Sequence, residues 1–180
     1  FGGAVAGAGD VNGDGYADLL VGAYGYGSYT GRAYLYLGHS GGLSSNAVWT
    51  ATGEAAADDF AYALAGAGDV NGDGYSDAVV GAYAYRSQDG KAYVYLGGAA
   101  GLSPTAAWSQ TGSVGGGARF GSAVSAAGDV NGDGYSDVLV GSAFYNSRQG
   151  RAHLYLGAAS GLAASAAWTA DGETSSLFGN

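Results

Sequence analysis

The sequence predicts an all-β chain of β-propeller blades, three four-stranded antiparallel sheets with an aspartate-rich loop between the first and second strands of each. Three observations predict it. A ten-residue segment at 9–18 returns almost letter for letter at 68–77 and 128–137. Its first aspartates, Asp10, Asp69 and Asp129, stand 59 and then 60 residues apart, a period typical of repeat architectures. Between these segments lie short β-prone runs divided by turn residues, with no 3.6-residue periodicity that would argue for a helix.

The same step recurs in other landmarks: Phe1, Phe60, Phe120 and Phe178; Trp49, Trp108 and Trp168; Gly-Leu at 42–43, 101–102 and 161–162. These divide the chain into units 1–59, 60–119 and 120–177, with 178–180 opening a fourth. Unit one offers strands at about 1–8, 17–23, 32–37 and 48–52. The third alternates Ala33, Leu35 and Leu37 with Tyr34 and Tyr36, so both of its faces are covered. Small pairs in the second strand (Gly22-Ala23, Gly81-Ala82, Gly141-Ser142) let a neighbouring sheet approach closely. Four strands per unit, stacked sheet on sheet, describe propeller blades.

Each repeated loop places oxygen-bearing side chains at positions 1, 3, 5 and 9: Asp10, Asn12, Asp14 and Asp18; Asp69, Asn71, Asp73 and Asp77; Asp129, Asn131, Asp133 and Asp137. Position 7 (Tyr16, Tyr75, Tyr135) offers a backbone carbonyl, and the glycine at position 6 (Gly15, Gly74, Gly134) supplies a positive φ. The opening resembles an EF-hand loop, but position 12 is valine and the ninth-position aspartate closes the ring early, so the loop runs into an apolar strand. Such residues also build solvated turns. Three aspartates facing one another repel unless a cation lies between them, and an oxygen-only set on a flexible loop selects Ca²⁺. We therefore expect three Ca²⁺ per chain.

The formal net charge of −9 follows from those loops, which hold nine of the fifteen acids; three Ca²⁺ would leave −3. The other six acids balance six Lys and Arg, and no basic stripe of the kind nucleic acid needs is present. No cysteine reports a redox compartment, and no apolar run approaches the ~18 residues of a membrane span. The absence of methionine, even at position 1, suggests a processed chain or a trimmed, engineered segment of something longer.

Phe1-Gly2, the loop at 9–18 and Val21-Gly22-Ala23-Tyr24, repeated in Phe120-Gly121 and Val140-Gly141-Ser142, resemble the FG-GAP repeat of integrin α-subunit propellers. The resemblance covers essentially the whole chain. It departs at Phe60-Ala61 and in the lack of a proline after the Gly-Ala or Gly-Ser pair. It implies a propeller with Ca²⁺ between each blade's first two strands, an extracellular or cell-surface setting and a structural, adhesion-type role. Some bacterial and fungal relatives are lectins.

Strand parity puts the aspartate loops on one face of the blades and the segments at 24–31, 83–90 and 144–150 on the other. These vary between units and carry Tyr24, Tyr26 and Tyr29; Tyr83, Tyr85 and Arg86; Phe144, Tyr145 and Arg148. A protein or glycan ligand would meet them there; alternatively, the first ring of each loop plugs the gap between blades. The recurrence of Trp49, Trp108 and Trp168 at one strand position favours packing over sugar stacking. His39 and His153 have no motif partner and no carboxylate pair suggests acid–base work, so no enzyme is expected.

Three blades leave two sheet faces bare, while closed propellers have about four to eight blades. Two chains would supply six, which predicts a homodimer; the alternative is a piece of a larger propeller. The competing functional expectations are a lectin using the variable-loop face and an accessory domain of a secreted hydrolase.

Overall fold

The computed structural model describes residues 1–112, 116–173 and 179. Three four-stranded antiparallel sheets follow one another along the chain. In the first, β1 (Ala4–Gly9), β2 (Asp18–Ala23) and β3 (Arg32–Tyr36) lie side by side, and β6 (Trp49–Thr52) forms the far edge. Two-residue strands β4 (Gly38–His39) and β5 (Gly42–Leu43) make a small ribbon between β3 and β6. The second sheet runs β7 (Phe60–Gly68), β8 (Asp77–Ala82), β9 (Lys91–Tyr95) and β10 (Trp108–Thr111). The third runs β11 (Phe120–Gly128), β12 (Asp137–Ser142), β13 (Arg151–Tyr155) and β14 (Trp168–Asp171). These are propeller-type blades, as the alternation of aromatic and aliphatic residues implies. Phe178 and Asn180 lie outside the described residues, as do parts of the connections at 112–119 and 172–177.

The segments linking second and third strands coil tightly at Tyr26–Tyr29, Tyr85–Gln88 and Tyr145–Arg148. Each contains a left-handed serine (Ser28, Ser87, Ser147; φ near 59°), so none is a true helical turn.

The core lies between the sheets. At the first joint Val11, Leu20, Ala33 and Leu35 meet Phe60, Leu64, Val80, Tyr95 and Leu102. At the second, Val70, Val79, Ala92 and Val94 meet Phe120, Val124, Val140, Tyr155 and Leu162. Fully burying one such side chain contributes about 1.5–3 kcal/mol, so the joints carry most of the apolar stabilisation. The tryptophans brace them. Trp49 Nε1 donates to the Ser103 carbonyl of the next blade at 2.9 Å, with its ring 5.0 Å from Tyr95. Trp108 Nε1 donates to the Ala163 carbonyl at 3.0 Å, 4.9 Å from Tyr155. Within each blade the opening Phe ring sits edge-on to the third strand: Phe1 on Tyr34, Phe60 on Tyr93, Phe120 on His153.

The sheets approach most closely at the second-strand glycines. A Cβ at Gly22, Gly81 or Gly141 would overlap the carbonyl of Ala61, Gly121 or Gly179 respectively. Those three residues take positive φ (63°, 81° and 84°), which explains why glycine normally follows the phenylalanine and why Ala61 holds a left-handed conformation. Gly179 thus rests on the third blade as Gly121 rests on the second.

Two measurements test this packing. Gly81→Ala forces a methyl into backbone and should cost about 1–3 kcal/mol, seen as a lowered Tm, whereas Gly7→Ala, with open space around it, should change stability by less than about 0.5 kcal/mol. Burial, aided by the nearby Arg151, pushes the His153 imidazole down to about 4; Asp171 opposes the shift weakly, and Ser142 Oγ lies 3.1 Å from Nε2. The unfolded chain then binds the extra proton between pH 6.5 and 4. Stability contributed by neutral His153 is therefore complete above about pH 6.5 and falls as pH drops toward 4. His153→Tyr, matching Tyr34 and Tyr93, should flatten that part of the Tm–pH curve.

Candidate metal centre

Each aspartate loop is wound around its first carboxylate. Asp10 accepts the N–H groups of Gly13 (2.7 Å), Asp14 (3.1 Å) and Gly15 (2.8 Å). Asp69 and Asp129 repeat the pattern with 72–74 and 132–134. These donors, that of Gly15 foremost, hold the Asp10 carboxyl below its ordinary range, and Gly134 leads the same effect on Asp129. The sixth-position glycines have φ of 89°, 90° and 93°, the conformation their place in the motif demands. Asn12 Nδ2 donates to Asp14 Oδ2 at 2.9 Å, and both Asn71–Asp73 and Asn131–Asp133 do so at 2.8 Å. The Tyr16, Tyr75 and Tyr135 N–H groups donate to the fifth-position carboxylates.

The ninth-position aspartates are buried at the root of the second strand. Asp18 Oδ2 accepts the Val11 N–H and Oδ1 the Gly38 N–H, both at 2.8 Å, so one carboxylate ties the loop to the ribbon after β3. Asp77 does the same with Val70 and Gly97, and Asp137 with Val130 and Gly157. Burial raises the Asp18 carboxyl above its usual range and takes Asp77 to about 6; the charges of Asp14 and Asp10, and of Asp73 and Asp69, push the same way.

The loops also interlock from blade to blade. Ser76 N–H donates to the Asp10 carbonyl and Gly98 N–H to that of Val11, both at 2.9 Å. Ser136 and Ala158 repeat this on Asp69 and Val70. The Tyr75 ring covers Gly13, and Tyr135 covers Gly72.

These donors fit a hard divalent cation. All side-chain ligands are oxygens, and each loop sets a buried carboxylate, hydrogen-bonded only to neutral N–H groups, near two more exposed ones. Among the described residues no three acidic or imidazole side chains converge in one ligation sphere. Asp10, Asn12, Asp14, the Tyr16 carbonyl and Asp18 would hold the ion once Asn12 and Asp14 released each other, and the other loops likewise.

On the opposite face, the second ring of each variable loop meets the basic residue that opens the third strand. Arg32 lies 3.9 Å over Tyr26, Lys91 4.9 Å over Tyr85 and Arg151 3.9 Å over Tyr145. The first rings fill gaps between blades: Tyr24 and Tyr83 flank Tyr62, and Arg119 lies 5.3 Å over Tyr83 and 3.7 Å over Phe144. Tyr29 stands 6.5 Å from Tyr24, and Arg148 lies 5.2 Å over Phe144. A cavity of about 770 Å³ opens here, lined by Glu54, Asp58, Tyr83, Tyr85, Arg86 and Arg119. Lys91 pairs with Glu54 across its edge at 2.5 Å. Sequence reading named Tyr83, Tyr85 and Arg86 but passed over Arg119, Tyr62 and Glu54. The aligned basic positions 32, 91 and 151 were the available signal for the cation–ring pairs.

The FG-GAP repeat model matches residues 1–36, 60–95 and 120–155. Similar proteins include Integrin alpha-4 of Xenopus laevis, 35% identical over 147 residues, covering 79% of this chain and 14% of that protein. Integrin alpha-IIb of Mus musculus is 38% identical over 143 residues (74% of this chain, 14% of that protein), and Integrin alpha-PS2 of Drosophila melanogaster 38% over 159 (78% and 11%). The chain therefore spans a small part of the length of these relatives. The matched segments each run from the opening strand through the aspartate loop to the third strand, and the chain belongs to the FG-GAP repeat family, as an integrin-like domain of propeller blades.

Proposed function

We propose that the chain is a calcium-stabilised, integrin-like β-propeller module with a structural, adhesion-type binding role in an extracellular or cell-surface setting. It has three Ca²⁺ sites, one in each of the units 1–59, 60–119 and 120–177, with 178–180 opening a further repeat. Its ring is completed from outside the three blades, by self-association or by further blades of a longer polypeptide. A protein ligand meets the loop face opposite the calcium loops. The chain performs no catalysis; the acids are loop residues or partners in ion pairs and turns, and His153 is packed beneath Phe120. Among the described residues no helix is long and apolar enough to cross a membrane.

The observation that carries this reading is the buried ninth-position carboxylate set behind two further acids, three times in register. A bound cation converts that repulsion into attraction and fixes the first hairpin of each blade. A lectin reading is less favoured, since Trp49 and Trp108 brace blade joints and Tyr26, Tyr85 and Tyr145 each have a basic side chain over one face of the ring.

Thermal unfolding in calcium and in chelator tests the assignment. A site filled at 100 times its Kd contributes about 2.7 kcal/mol, so Asp73→Ala should remove about 5–10 °C of the calcium-dependent rise in Tm. An identical wild-type Tm in calcium and in chelator would refute it.

A further inference from the structure

Resting on the loop-face binding role of the preceding section, we propose that the cavity of about 770 Å³ at the first blade joint receives a carboxylate of an acidic peptide between Arg86 and Arg119. Residues 54–59 of the first blade's closing connection, 83–88 of the second blade's loop and Arg119 wall this cavity. Both flanking blades are present, so it owes nothing to the two outer sheet faces.

Charge is segregated across the molecule. Nine of the fifteen acids lie in the aspartate loops, and all six Lys and Arg (Arg32, Arg86, Lys91, Arg119, Arg148 and Arg151) lie on the opposite face. Lys91 is paired with Glu54 and Arg151 with Asp171. Among the described residues the other four reach no carboxylate, and two of them, Arg86 and Arg119, border the cavity. The acids of the wall are already engaged. Glu54 holds Lys91 at 2.5 Å and accepts the Tyr93 hydroxyl at 3.0 Å. Asp58 is buried and accepts the Ala55 N–H at 2.7 Å. Asp59 lies beside the Tyr83 hydroxyl, which burial, and that carboxylate after it, keep protonated. A cation entering the cavity would have to compete with these partners, whereas an anion meets two guanidinium groups that have no carboxylate.

Arg119 is held in place before any ligand arrives. Its guanidinium lies 3.7 Å over Phe144 and 5.3 Å over Tyr83. Nε donates to Gln88 Oε1 and the backbone N–H to the Gln88 carbonyl, both at 2.8 Å, which leaves the Nη groups for a ligand. A guanidinium fixed in advance lowers the ordering cost of binding, and its planar fork suits a carboxylate. Arg86 is exposed, with its guanidinium 5.6 Å from the Tyr85 ring. Its φ is 49°, at a position where the first and third blades have Gly27 and Asn146, residues that take the left-handed conformation more readily. An arginine carried there against its backbone preference points to a use for the side chain. Tyrosine and arginine are also the residue types that dominate the energetic centres of protein interfaces, and the cavity lies within the ~300–1,000 Å³ typical of ligand clefts. With Lys91 over Tyr85 and Arg119 over Tyr83, less ring face is open to stack a sugar, which favours a peptide carboxylate over an acidic glycan.

Fluorescence anisotropy of a labelled decapeptide of alternating glutamate and glycine, titrated with the full chain in calcium and low salt to ~1 mM protein, tests this. The glutamate peptide should bind and its glutamine counterpart should not. Arg86→Gln and Arg119→Gln should each weaken binding roughly tenfold, while Arg32→Gln, on the same face but outside the cavity, should change it by less than about twofold. Arg86 is exposed, so its variant decides the matter even where Arg119→Gln lowers the Tm. No binding of the glutamate peptide, equal binding of the glutamine peptide, indifference to both cavity substitutions, or equal losses in all three variants would each overturn the inference. Binding of heparin in place of the peptide would assign the arginine pair to a sulfated glycan and overturn it too. A chain that ignores the peptide while calcium still raises its Tm loses the carboxylate site and keeps the calcium-stabilised module; one that binds the peptide with a Tm indifferent to calcium does the reverse.

Discussion

Everything in this fold depends on how closely one sheet can approach the next. The second strand of each blade gives up side chains at Gly22, Gly81 and Gly141 so that a backbone carbonyl of the following repeat can rest on it. That carbonyl is presented by a residue in a left-handed conformation directly after the opening phenylalanine, or after its counterpart in the next repeat. The phenylalanine ring turns back into its own blade, while Leu102 and Leu162, with Trp49 and Trp108, close the rims of the two joints. Missing side-chain volume in one strand therefore sets the turn chemistry of another some 40 residues on.

The aspartate loops belong to the same construction. A carboxylate buried at the base of the second strand joins its own loop to the segment after the third strand, and the loop's first two carbonyls accept N–H groups from the next blade. The loop is thus a splice between hairpin and joint. Burial takes the Asp77 carboxyl up to about 6, with the N–H groups of Gly97 and Val70 opposing the rise and the charges of Asp73 and Asp69 adding to it.

Much of this was legible from residues alone. The period, the four strands per unit, the sixth-position glycines and the small second-strand pairs all obey local rules, and expected strands such as 17–23 and 48–52 differ from β2 and β6 by one residue. What stayed hidden is non-local. Nothing around Asp18 announces that Gly38, 20 residues away, takes its second oxygen. Arg119 sits in a connection of varied composition, and only packing places it between Tyr83 and Phe144. The ribbon of β4 and β5 has two residues per strand, too few for a pattern.

The interlocked loops have a further consequence. The first and second loops each hold the next blade by two backbone hydrogen bonds and a tyrosine laid over glycine, so the three blades are coupled nearest neighbour to nearest neighbour. The middle blade is clamped by both of its neighbours. A disturbance in one loop is therefore felt first in the loop of the adjoining blade, through two carbonyls and one ring.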